Sequence, residues 1–311
     1  MPLSRRPPRA LAAALLAGAA CALVSCSLNS KVFYTRTPAR DVTALKPEEI
    51  TLTAPDGCRF TSLFMKPDGD PRATIFLLQG NGGNVTTLAD VAKLFVNHGY
   101  QVFLMGYRGY AGSQGSPTFK AILRDSEQAL RYLRAREDVR ETKVVALGFS
   151  LGGSFAVRLA HDYPELVDAL VVEGAFTTFD EMARHLASPW LKPAAKLLVR
   201  SPSNSEKLIA RIAAPKLIVH SREDKIVPFE MGERLYRAAA EPKEFWPITG
   251  EHCLGVRKFE AEYMDRLDRL LQMGGTPRGI RTSDLQIRSL SLYPVELWAH
   301  RVRAQMVAPA S

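Results

Sequence analysis

Between residues 50 and 273 the apolar positions fall into two alternating patterns. Short apolar runs at 73–78, 101–105, 144–149, 170–172 and 217–219 have the length of strands covered on both faces. Between several of them lie longer stretches in which apolar residues recur every three or four positions, the period of a helix with one buried face. Stretches 88–96, 118–136 and 254–273 read this way. In the second, Phe119, Ile122, Leu123, Ala129, Leu130 and Leu133 form the stripe, and Pro117-Thr118 marks its start. Residues 50–53 and 60–65 instead alternate around Pro55-Asp56-Gly57, which predicts a hairpin at a sheet edge. A further strand is expected at 244–248. Buried strands alternating with helices predict an α/β fold, a mostly parallel sheet with helices on both faces. Ligands of such sheets sit beyond the carboxyl ends of the strands.

One stretch at that edge carries candidate chemistry. Residues 148–152 read Gly-Phe-Ser-Leu-Gly, a strand running into a tight turn and then a helix. A serine held on so sharp a turn leaves no room for neighbouring Cβ atoms, and Gly148 and Gly152 have none. Alone, the pentapeptide reads equally well as a Gly/Ser turn without chemistry. A serine hydroxyl becomes a nucleophile only with an imidazole to take its proton and a carboxylate to orient that imidazole. Asp224 follows the 217–219 strand, and His252 follows the 244–248 strand, so acid and base come in that order after Ser150. Glu173, also at a strand end, is an alternative acid, and His220 is read as support for the Asp224 loop. The glycine-rich loop 80–83 opens the 88–96 helix and brings bare N–H groups to the same edge. An oxyanion hole would take the N–H of Leu151 and that of Asn81.

Composition narrows the picture. The chain has 311 residues, 46% hydrophobic and 23% charged, enough for one large α/β domain. Its net charge of +9 is concentrated at the ends, and residues 27–273 carry only +3, so no nucleic-acid partner is implied. None of the four cysteines forms a CxxC pair. Arg5, Arg6 and Arg9 precede an apolar run, 10–24, that is short for a membrane span and suits a signal peptide. It ends in Leu-Val-Ser-Cys, similar to a bacterial lipobox with Cys26 as the lipidated residue. Cys21 fits less well, with Gly18 where leucine is usual. Residues 274–311 break the pattern after Gly274-Gly275-Thr276-Pro277. They resemble spurious translation of a tRNA gene, and a short basic tail is the alternative.

With these residues in place, the stretch 51–271 resembles the α/β-hydrolase superfamily. It is similar to serine hydrolases carrying H-G-N-x-x-N, D-Y-R-G-Y-G-x-S-x-G-x-P, G-x-S-x-G-G, H-G-x-x-D-x-x-V-P and G-H-N, a group that includes eukaryotic protein depalmitoylases and bacterial relatives of unsettled substrate. The resemblance implies Ser150 as nucleophile, Asp224 as acid, His252 as base, and Asn81 and Leu151 as oxyanion donors. Three positions depart from it: Gln79 for His, Gly106 for Asp, and Cys253 for Asn. The side chains missing at 79 and 106 predict looser packing of two loops.

The expected organisation is a lipoprotein signal peptide at 1–26, a tether and lead-in segment at 27–50, a hydrolase domain at 51–273 with a short lid at about 179–211, and a tail at 274–311. The expected activity is cleavage of a small or acyl-chain ester or thioester, without metal or organic cofactor. The protein would be anchored by lipid at the cell envelope, on the periplasmic side of the outer membrane in a Gram-negative host. Peptidase action on small peptides and a non-catalytic binding lipoprotein are the alternatives.

Overall fold

The apolar runs assemble into one eight-stranded sheet in the computed structural model, which describes residues 33–187 and 201–273. Cys26, the expected leader, the expected tail and part of the expected lid lie outside those residues. Strands β1 (Glu48–Thr53) and β2 (Arg59–Met65) form the expected antiparallel hairpin, and β2 pairs antiparallel with β4 (Gln101–Leu104). From β4 onward every neighbour is parallel, through β3 (Thr74–Leu78), β5 (Val144–Phe149), β6 (Ala169–Glu173), β7 (Lys216–Ser221) and β8 (Lys243–Ile248). The order is β1-β2-β4-β3-β5-β6-β7-β8, so the chain turns one way from β3 and the other way from β4. That reversal opens a crevice between the carboxyl ends of β3 and β5, where such sheets bind ligands. Residues 79–84 follow β3, and Ser150 follows β5.

Eight helices are described: α1 (Ala89–Asn97), α2 (Phe119–Ala135), α3 (Leu151–Asp162), α4 (Phe179–Leu186), α5 (Ser205–Ile209), α6 (Phe229–Ala238), α7 (Gly255–Lys258) and α8 (Glu260–Met273). Thr118 starts α2 as expected, its hydroxyl accepting the Ala121 N–H at 3.1 Å. Alternate strand residues face opposite sides. On one side Ile75, Leu77, Val145 and Leu147 join Phe95 of α1 and Tyr263 and Leu267 of α8 in one core. On the other, Phe76 stacks on Phe103 at 5.5 Å, and Phe119 of α2 stacks on Phe155 of α3 at 4.7 Å. Among the described residues no helix is long and apolar enough to cross a membrane.

One helix reading needs correction, and one helix was not anticipated. The single helix expected over 254–273 is two, because the backbone leaves helical geometry at Phe259 (φ −129°, ψ 42°), whose ring lies edge-on to Trp246. Helix α6 falls where the sequence reading placed no element, and it buries Met231 and Leu235 on one face. It carries Gly232 at its centre because its backbone lies against the His220 ring, and a Cβ there would fall 2.4 Å from His220 Nδ1.

The expected loosening at position 106 does not occur. The chain there runs against β2 so closely that a Cβ on Gly106 would lie 1.8 Å from the Thr61 carbonyl oxygen. Gly106 N–H donates to Ser62 Oγ at 3.0 Å. The loop that follows is pinned by Arg108, whose buried guanidinium forks onto Asp125 (2.5 and 2.6 Å) and reaches Asp56 in the hairpin turn (2.9 and 3.3 Å). Restoring the family's aspartate, Gly106→Asp, is therefore expected to lower stability by about 1–3 kcal/mol in urea unfolding. An unchanged midpoint would contradict the close approach.

Candidate active site

Ser150 sits between the end of β5 and the start of α3 with φ +51° and ψ −114°, a region that side chains other than glycine rarely occupy. Such a conformation costs about 1–3 kcal/mol and persists only where the surroundings enforce it. Here they do. A Cβ on Gly148 would lie 2.3 Å from the Gly152 carbonyl oxygen, and one on Gly152 would lie 2.1 Å from that of Leu78. The two glycines let β5, α3 and the end of β3 meet without side chains between them. The Ser150 N–H donates to the Glu173 carbonyl at 2.9 Å, which ties the turn to the end of β6. The α3 axis begins at Leu151, so the first-turn N–H groups point at the space beside Ser150.

The residues expected as acid and base meet directly. His252 Nδ1–H donates to Asp224 Oδ2 at 2.6 Å. The Asp224 side chain is fully buried, and its other oxygen accepts the N–H groups of Ile226 and Val227, both at 2.9 Å. Burial alone would push this carboxyl up. The bond to His252, its charge and the two backbone donors outweigh burial and hold Asp224 below the usual carboxylate range. The His252 ring lies against Gly174, where a Cβ would fall 2.9 Å from Cε1. Ser150 and His252 thus flank the same residue pair, Glu173-Gly174.

The two loops that bear Asp224 and His252 are also sewn to each other. Glu223 Oε2 accepts the Gly250 N–H at 2.9 Å, Ser221 Oγ donates to the Gly250 carbonyl, and Arg222 N–H donates to the Ile248 carbonyl at 2.9 Å. Nothing in the local sequence marks Glu223 as different from a solvated neighbour of Asp224. His220, buried within β7, bonds through Nε2 to the Val227 carbonyl at 3.0 Å and so supports the Asp224 loop.

Asn81 lies in the loop after β3, and the residue before it, Gly80, adjoins Ser150: a Cβ on Gly80 would lie 3.4 Å from Ser150 Cβ. The Asn81 side chain does not face the crevice freely. Its Oδ1 accepts the Tyr34 N–H at 2.7 Å and the Tyr110 hydroxyl at 3.3 Å. Tyr107 donates to the Gln79 carbonyl at 3.1 Å, so two tyrosines of the neighbouring loop hold residues 79–81. The Gln79 side-chain amide is buried without a hydrogen-bond partner from the described residues.

Glu173, the alternative acid, is not paired with His252. Its Oε1 accepts the Gly255 N–H at 2.7 Å, at the start of α7, and the Tyr263 hydroxyl adjoins it. Burial pushes this carboxyl up to about 7, against the smaller lowering by the Gly255 N–H, Tyr263 and His252, while Asp224 adds to the rise. A group whose folded pKa is raised binds its proton more tightly in the native state. It therefore destabilises the fold progressively as pH rises from about 4.5, the unfolded value, to about 7. Glu173→Gln keeps an acceptor for Gly255 and removes that charge. It is expected to be more stable than the native protein above pH 7, by up to about 3 kcal/mol, with the advantage fading towards pH 5. Parallel pH dependence of the two proteins in thermal unfolding would contradict this.

Comparison with known proteins points the same way as the geometry. Residues 69–208 match the family described as Hydrolase_4, serine aminopeptidase S33. The chain is 34% identical over 220 residues to the Alpha/beta hydrolase domain-containing protein WAV2 of Arabidopsis thaliana, covering 67% of this chain and 70% of that one. It is 28% identical over 212 residues to the uncharacterized protein YfhR of Escherichia coli K12, covering 66% and 73%. Among solved structures, the esterase Pf2001 of Pyrococcus furiosus superposes with a TM-score of 0.64 at 18% identity, covering 78% of this chain and 98% of that one. The strand order, the serine turn between β5 and α3, and this likeness in sequence over two thirds of each chain place the protein in the α/β-hydrolase superfamily.

Proposed function

We propose that the protein is a serine hydrolase that cleaves a carboxylic ester or thioester through an acyl-enzyme. The observation that carries this reading is the 2.6 Å bond between His252 Nδ1 and a buried, ionised Asp224, at the sheet edge where the strained Ser150 turn also stands. That bond fixes the imidazole tautomer with its proton on Nδ1 and leaves Nε2 as the acceptor. Ser150 Oγ attacks the substrate carbonyl carbon and His252 Nε2 takes its proton. The N–H groups of Leu151 and Asn81 hold the oxyanion, each contributing about 3 kcal/mol to the transition state. The intermediate collapses and His252 protonates the leaving alcohol or thiol. Water, deprotonated by the same imidazole, then releases the acid. Asp224 stays ionised throughout and stabilises the imidazolium.

A peptidase reading is favoured by one finding, the match of residues 69–208 to the serine aminopeptidase family. The same residues would serve it, with an amine as leaving group. The resemblance to depalmitoylase-like relatives and the likeness in fold to the esterase Pf2001 favour an ester or thioester.

Attachment to the envelope through Cys26 rests on the residue pattern alone. Phe33 lies only seven positions after Cys26, at most about 25 Å of extended chain. A lipidated Cys26 would thus keep residues 33 and 34, beside Asn81, close to the bilayer and favour a substrate held there. Cys26→Ser is expected to move the protein from the membrane to the soluble fraction, and an unchanged distribution would remove the anchor.

Three measurements test the catalytic reading. A fluorophosphonate is expected to label the native protein and not Ser150→Ala. Asp224→Asn is expected to lower kcat by about 10⁴, the cost of losing the correct tautomer in such sites. Esters of graded acyl length set against aminoacyl amides are expected to be turned over faster than the amides. Absence of labelling would leave a binding protein, and faster amide turnover would make it a peptidase.

A further inference from the structure

The glycine-rich loop after β3 contains two asparagines, and the proposed mechanism uses only the backbone of the first. Their side chains have a different task. Residues 33–40 cross over this loop as a strap. Tyr34 N–H donates to Asn81 Oδ1 at 2.7 Å, and Thr37 Oγ1 donates to the Gly82 carbonyl at 2.7 Å. Asn84 Nδ2 donates to the carbonyls of Thr37 (3.0 Å) and Pro38 (3.3 Å), and Arg40 N–H donates to Thr86 Oγ1 at 2.8 Å. These contacts span some 45 residues of sequence, and the strap is held at both ends: Phe33 is buried, and Val42 and Leu45 pack against the core.

Asn84 is the hub. It is fully buried, and the two ends of its side chain bind different segments. Oδ1 accepts the N–H groups of Thr86 (3.0 Å) and Thr87 (3.2 Å) and the Thr86 hydroxyl (2.6 Å), which shapes the approach to α1. Nδ2 holds the strap. An oxyanion donor must be fixed before the charge develops, since a donor that has to move into place loses most of its effect. A glycine-rich loop has little rigidity of its own.

We propose that residues 33–40 are a positioning element of the active site, clamped by Asn81 and Asn84, which holds the Asn81 N–H in its donating orientation. The tether thus continues into the catalytic machinery, and hydrolysis slows when the strap is released although Ser150, His252 and Asp224 are untouched. This rests on the ester-hydrolase reading of the site.

Two variants release the strap by different bonds. Tyr34→Pro removes the N–H that holds Asn81 Oδ1, on an exposed residue. Asn84→Asp keeps an acceptor for Thr86 and Thr87 and loses the donor to the strap carbonyls. Three quantities are read in the full chain: kcat and KM on a short p-nitrophenyl ester, affinity for a trifluoromethyl ketone, and hydrogen exchange of the peptide spanning 79–88. Each variant is expected to lower kcat at least about tenfold with KM within about twofold, to weaken the ketone in step with kcat/KM, and to speed exchange in that peptide. A purely structural role would lower the melting point and leave the kcat of the folded fraction unchanged. Folded Tyr34→Pro with native kcat and native loop exchange overturns the proposal, and it decides the matter if Asn84→Asp fails to fold. A native protein that turns over no ester overturns the reading of the site and, with it, the catalytic role of the strap. Native turnover with unchanged Tyr34→Pro overturns the strap alone.

Discussion

The site depends on one steric constraint, the meeting of β5, α3 and the end of β3 around Ser150. Three backbone segments pass within van der Waals distance there because positions 148 and 152 have no side chains. The close approach forces the left-handed conformation on Ser150, which no single local interaction would hold. It also sets the relation of Ser150 to everything else. The serine cannot shift without moving the end of β3, from which the 79–84 loop departs, or the end of β6, whose Glu173 carbonyl it binds. The strain is carried by the central strands of the sheet, whose paired backbones and buried side chains supply far more stability than the turn consumes.

Around that fixed point the other groups come from loops, and loops need their own restraints. His252 is oriented by a buried carboxylate, and Asp224 is in turn held by two backbone N–H groups and by the His220–Val227 contact beside it. Glu223 and Ser221 cross from the Asp224 loop to Gly250 of the His252 loop, which ties the two together. Glu173 lies beneath, binding the start of α7 and pushed up to about 7 by burial. Near neutrality such a carboxyl is only partly ionised, whereas Asp224, held below the usual carboxylate range, carries its full charge beside His252.

The sheet, its hairpin edge and the positions of Ser150, Asp224 and His252 were legible in the sequence, because each is a break in a period. A strand ends, and a residue capable of chemistry follows. The α2 cap at Thr118 was legible for the same reason. What could not be read was held by contacts between distant segments. Gly106 looks like the loss of a family aspartate, and only the approach of β2 shows why no side chain fits. Glu223 resembles any surface acid until Gly250 is placed beside it. The strap over Asn81 and Asn84 has no periodicity, and its polar, Pro-containing residues read as a linker. The break at Phe259 was hidden because the short α7 and the longer α8 keep a common helical period.

The account reduces to the claim that Ser150 is acylated and deacylated in turnover. Rapid mixing with a p-nitrophenyl ester, acid quench within milliseconds to seconds, and mass measurement of the intact protein and its peptides test this most directly. The account predicts an added mass equal to the acyl group on the peptide containing Ser150, formed before steady-state product release and lost as substrate is exhausted. Hydrolysis that proceeds with Ser150 unmodified at every time point, or with the acyl group on Cys253 instead, would contradict it.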